Sequence, residues 1–119
     1  MQALSADKQT SARPGMHNSG VALSLEQLHD VRQIIEHVTP GANVWIFGSR
    51  ATGNARPFSD LDLLFTHPSK LTWAQRAALR DGFEASCLPF LVDVVESAGL
   101  NGAVADRIQA ERVDLSALF

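Results

Sequence analysis

From residue 24 onward, apolar and polar positions alternate in two distinct rhythms. Leu25, Leu28, Val31, Ile34, Ile35 and Val38 recur at helical spacing and fall on one stripe. Ser24 with Gln27 three positions on reads as a capping box, in which each side chain satisfies a free backbone donor of the other's turn. The helix therefore starts there, and Thr39-Pro40-Gly41 ends it. Val44-Trp45-Ile46-Phe47 is a short apolar run between turn residues and reads as a buried strand, stopped by Gly48-Ser49. A loop over Gly53 to Ser59, rich in Gly, Asn, Pro and Ser, leads to a second strand from Asp60 to Phe65. Thr72 to Ser86 has helical spacing, with Trp73, Ala77 and Phe83 among its apolar positions. Phe90 to Val95 reads as a third strand and Leu100 to Glu111 as a last helix, after which the chain pairs as an edge strand or packs loosely. This order predicts an α/β (α+β) domain, a small mixed β-sheet flanked by helices, over residues 21–119. Residues 1–20 show no periodicity and read as a disordered N-terminal tail.

Composition narrows the function classes. The 119 residues suit one domain and leave little for a separate substrate domain. A formal charge of −3 gives no basic footprint, so nucleic acid is not an expected partner. Cys87 is the only cysteine; no internal disulfide can form, which fits a reducing cytosol, and the residue reads as a small buried hydrophobe. No apolar run approaches the ~20 residues of a membrane span, and the N-terminus lacks a signal-peptide core, so a cytoplasmic protein without a membrane partner is expected. His17, His29, His37 and His67 lack metal-ligand spacing and read as surface residues. Trp45 and Trp73 read as core residues in preference to base-stacking platforms.

The candidate chemistry lies in Gly48 to Asp62, GSRATGNARPFSDLD. Strand side chains alternate faces, so Asp60 and Asp62 project to one side with Cα atoms ~6.5 Å apart. Two carboxylates that close repel, and a divalent cation relieves the repulsion; Mg²⁺ favours a few carboxylates together with substrate phosphates. The plain alternative makes Asp60 part of the Ser59 turn and leaves Asp62 facing solvent. Against it, Leu61, Leu63, Leu64 and Phe65 make the strand mostly apolar, and a core strand does not carry two acids on one face without compensation. Gly48 allows close backbone approach to a ligand, and Ser49 opens a helical turn whose free N–H groups and hydroxyl can hold phosphate; the alternative is a plain N-cap. Asp93 sits inside Leu91-Val92-Asp93-Val94-Val95 and needs a partner. Beside the second strand it completes a three-acid cluster able to hold metal or take a proton; otherwise it pairs with an arginine. Arg50 and Arg56 are forked donors flanking the loop, read either as phosphate contacts or as solvated surface arginines.

Taken together, Gly48-Ser49, ten intervening residues, Asp60-x-Asp62 and a later strand acid at Asp93 resemble the signature of the DNA polymerase β-type nucleotidyltransferase superfamily. The segment Leu88 to Val95 is similar to that of the stand-alone minimal nucleotidyltransferases, and the resemblance runs from about Ser24 to about Glu111. It implies the nucleotidyltransferase fold and a site of catalytic and metal-binding Asp60, Asp62 and Asp93. Gly48, Ser49 and Arg50 would bind the nucleotide, with Mg²⁺ or Mn²⁺ as cofactor and ATP as substrate. Thr52 departs from the arginine or lysine common in Gly-Ser-x-Arg-Gly. The resemblance further implies the antitoxin half of a two-gene system, transferring AMP to a tyrosine of a HEPN-type helical toxin. A non-catalytic antitoxin acting by contact, a transferase acting on a small molecule or RNA, and a homo-oligomer remain compatible with the sequence.

Overall fold

The computed structural model of the protein describes residues 20–119; the expected tail therefore lies outside the described residues, apart from Gly20. Helix α1 spans Leu25–Val38 and begins with the expected capping box: Gln27 N–H donates to Ser24 Oγ at 3.0 Å, and Ser24 N–H to Gln27 Oε1 at 3.0 Å. Strand β1, Asn43–Phe47, follows; then come a single helical turn α2, Ser49–Thr52, and strand β2, Leu61–His67. Helix α3, Trp73–Glu84, carries a second capping box, Thr72 with Gln75, which the reading of the sequence missed. Strand β3, Val92–Glu96, helix α4, Gly102–Glu111, edge strand β4, Val113–Asp114, and a 3₁₀ turn over Leu115–Leu118 complete the chain.

The four strands form one mixed sheet in the order β3-β2-β1-β4. β1 runs antiparallel to β2 and to β4, while β2 and β3 are parallel, joined by a crossover through α3. Side-chain alternation divides the sheet into two packed faces. On one face Val44, Ile46, Leu61, Leu63 and Phe65 bury against Leu28, Val31 and Ile35 of α1 and Leu79 and Phe83 of α3. On the other, Phe47 and Leu64 bury with Ile108 of α4, and Trp45 and Val95 pack alongside. Arg76 Nε on α3 meets Glu96 Oε2 at 2.6 Å, and Glu96 Oε1 accepts from Leu71 N–H at 3.1 Å, which fixes the crossover to the far end of β3.

Three expectations are corrected. Trp73 is 80% exposed, not core. It is the first residue of α3, about 240° round the helix from buried Leu79, so it faces away from the sheet. Cys87 is exposed because it lies in the connection from α3 to β3, which runs over the surface. Leu25 belongs to the periodic stripe but is 55% exposed, since it lies at the edge of that stripe, about 120° round the helix from buried Val31. Trp45 keeps its core place, half-buried with its indole N–H donating to Thr66 Oγ1 at 3.0 Å.

Candidate active site

The parallel register of β2 and β3 sets Asp62 directly opposite Asp93, and the antiparallel register of β1 sets Phe47 opposite Asp62. Both acids thus stand on the face covered by α4, at the sheet end where β1 runs into Gly48. Asp60 lies just before β2 and is exposed, as is Asp93, while Asp62 is half-buried. A carboxylate so placed is costly to ionise: the Asp62 pKa is raised, first by burial, then by the charges of Asp93, Asp60 and Glu111, with Arg107 acting in the opposite sense.

Gly48 adopts φ 78°, ψ −159°, a region open essentially to glycine alone. A Cβ there would overlap Asp62 Oδ2. The glycine thus lets the turn close directly onto the central acid. Its carbonyl accepts from Ala51 N–H at 3.0 Å, which starts α2, and Gly53 at φ 82° ends that helix. Thr52, at the departure from the family pattern, turns its hydroxyl back to Ser49 O at 3.2 Å and presents no cation.

Arg50 is placed differently from the nucleotide contact expected of it. Only 4% exposed, it donates from Nε to Ser59 O at 3.0 Å, from Nη1 to Ala22 O at 2.6 Å, and from Nη2 to Pro57 O at 3.0 Å and Arg56 O at 3.3 Å. Its guanidinium also stacks 4.0 Å from the Phe90 ring centroid. Four of its five N–H donors are thereby spent on backbone carbonyls, which makes Arg50 the latch of the loop before Asp60, with little left for a phosphate. Burial lowers its pKa and the charge of Asp60 raises it, so the latch also faces one of the acids. Arg56 is exposed and contributes only its backbone to the latch.

Two residues of α4 went unnoticed in the sequence. Glu111, the last residue of α4, accepts from Gly48 N–H through Oε1 at 2.9 Å. Arg107, one turn earlier, is the cation that acts on Asp62. Both flank Ile108, the buried residue of the helix, but no local motif marks them. Among the described residues, no three His, Cys, Asp or Glu side chains are grouped as a metal ion requires. Two surface hollows lie elsewhere, one between α1 and the C-terminal residues and one between α1 and α3; neither includes Asp60, Asp62 or Asp93.

Paired acids on adjacent parallel strands, closed upon by a glycine turn, point to nucleotidyl transfer, and comparison with known families agrees. The profile of the nucleotidyltransferase domain matches residues 28–115, most of the chain, and the chain belongs to that family. Within it, the chain is similar to a candidate minimal nucleotidyltransferase of known structure, at 31% identity and a TM-score of 0.58, covering 74% of this chain and 88% of that one. It is also similar to the probable protein adenylyltransferase MntA of Haemophilus influenzae, at 38% identity over 73 residues. That match takes in 61% of this chain and 64% of MntA, so the chain spans less than two thirds of this relative. A toxin-antitoxin crystal structure with AMP-PNP shares the fold, with a TM-score of 0.61 and 20% identity over 74% of this chain and 71% of that one. No helix among the described residues is long and apolar enough to cross a membrane.

Proposed function

We propose that the protein is a cytoplasmic, metal-dependent nucleotidyltransferase that moves AMP from ATP to a hydroxyl of a partner protein, a tyrosine of a HEPN-type toxin, and so serves as its antitoxin. The observation that carries this reading is the placing of Asp62 between Asp93 and the backbone of Gly48. Asp60, Asp62 and Asp93 are the metal ligands, Asp93 also sits where it can take the proton of an acceptor hydroxyl, and Gly48 and Ser49 receive the phosphates. The donor set suits Mg²⁺ or Mn²⁺: all three are hard carboxylates, and Asp62, whose pKa is raised first by burial and then by Asp93 and Asp60, carries a repulsion that a cation would relieve. The three side chains do not converge as they stand, but Asp60 and Asp93 are exposed and can rotate without disturbing the core. When bound, the ion supplies charge neutralisation for the triphosphate. The names of the relatives, an adenylyltransferase and a toxin-antitoxin complex, favour a protein acceptor.

The test is co-expression with a small helical protein sought among the products of neighbouring genes, followed by ATP, Mg²⁺ and intact-mass spectrometry. The partner should gain the mass of one AMP, and no gain should appear with Asp62→Asn or Asp93→Asn. Removing general-base assistance alone costs ~10²–10⁴-fold in rate, so Asp93→Asn should bind ATP yet fail to turn over. A partner that binds tightly but is never modified would establish an antitoxin acting by contact. Transfer that survives Asp62→Asn would refute the assignment.

A further inference from the structure

The Gly48 N–H is already engaged. Its acceptor, Glu111 Oε1, lies 2.9 Å away and comes from 63 positions along the chain. Resting on the reading of Gly48 as a phosphate-binding glycine, we infer that Glu111 is a built-in competitor for the nucleotide. Its carboxylate holds the backbone donor that a phosphate oxygen would take, and nucleotide enters by displacing it.

The reasoning is stoichiometric. A backbone amide carries one proton, and a carboxylate oxygen and a phosphate oxygen are both charged acceptors for it. They cannot both take it at full strength. The Gly48 N–H donates to Glu111 Oε1 at the end of α4, a bond that no neighbour in sequence supplies. Glu111 also adds a fourth negative charge beside Asp60, Asp62 and Asp93, at the place a triphosphate has to approach. Removing that charge by displacement favours the incoming anion as well as freeing the donor.

The displaced side chain has somewhere to go. Arg107 lies one turn back on α4, at the i, i+4 spacing that brings side chains together on a helix. Glu111 is only partly buried, so its exit opens no cavity in the core. A purely structural tie between α4 and β1 makes the opposite prediction, since loss of such a tie loosens the turn and weakens nucleotide binding.

The experiment titrates the full chain, in Mg²⁺, with a non-hydrolysable ATP analogue and separately with tripolyphosphate, for wild type, Glu111→Gln and Glu111→Ala. Glu111→Gln preserves the shape and an acceptor oxygen while removing the charge, so it keeps the test open if Glu111→Ala folds poorly. Both probes should bind about tenfold more tightly to Glu111→Ala, the lower end of the range for a hydrogen bond to a charged group, and more tightly than wild type by a smaller factor to Glu111→Gln. The Gly48 amide resonance gives a second readout. It should differ between wild type and Glu111→Ala in the free state and converge when each is saturated with the analogue. Unchanged or weaker binding in both variants, or a Gly48 resonance that stays different at saturation, would show that Glu111 is a tie and overturn the inference, leaving the transferase reading intact. Failure of wild type and both variants to bind either probe would overturn the two together.

Discussion

Replacing Gly48 by alanine tests the site at its tightest point. The backbone there sits at φ 78°, ψ −159°, and a side chain in that region costs roughly 1–3 kcal/mol. The added Cβ would also overlap Asp62 Oδ2. Asp62 then has to leave its preferred rotamer, at a cost of about 0.5–1.5 kcal/mol. Together these give a loss of roughly 1.5–4.5 kcal/mol, a fall in Tm on the order of 5–25 °C for a domain this size. Urea denaturation of the nucleotide-free chain measures the loss, and nucleotidyl transfer should vanish alongside because the central acid has been pushed aside. Two comparisons isolate the cause. Gly41, also at φ 78°, has nothing within 4 Å of its would-be Cβ, so Gly41→Ala meets conformational strain without overlap. Truncating Asp62 removes the overlapping oxygen and leaves its Cβ 3.6 Å from the new methyl, an ordinary contact. The double variant Gly48→Ala/Asp62→Ala should therefore be more stable than the sum of the two single losses, by about 0.5–1.5 kcal/mol. Additive losses, or a Gly48→Ala protein as stable as wild type, would refute the account of the turn.

Asp62 also sets a pH dependence. Its raised pKa means that the folded protein keeps this proton to higher pH than the unfolded chain does. The stability it contributes is full below the ordinary carboxyl range and is lost as pH rises through the folded value. In metal-free buffer, Asp62→Asn should flatten this part of the stability curve and raise Tm at pH 7; an Asp62→Asn protein with the wild-type pH profile would contradict the electrostatics described. Arg50→Lys should cost about 1–3 kcal/mol, since one ammonium cannot reach carbonyls at residues 22, 56, 57 and 59 together and the buried bond to Ala22 O is put at risk. Urea melts check this, and weakened nucleotide binding at unchanged stability would restore Arg50 to the phosphate site.

Much of the fold was legible locally. The Ser24–Gln27 box, the apolar run of β1, the turn after Gly48 and the alternation around Asp62 are set by residues within a few positions of one another, and short-range sterics and hydrogen bonding decide them. The strand order was not legible in this way. That Asp62 faces Asp93 depends on a parallel register reached through the α3 crossover, and no window of sequence contains both strands. The same limit explains the residues misread or missed. Arg50 looks like a free phosphate ligand until Ala22, 28 positions away, and the loop at residues 56–59 deliver carbonyls to it. Glu111 looks like the polar end of a helix until α4 folds over the sheet and brings it to Gly48. Trp73 and Cys87 look buried by type and are exposed by position. The sequence alone determined which residue types were present and in what local rhythm. Only the tertiary structure decided which donor met which acceptor, because a side chain's partner is chosen by distance in space and not by distance along the chain.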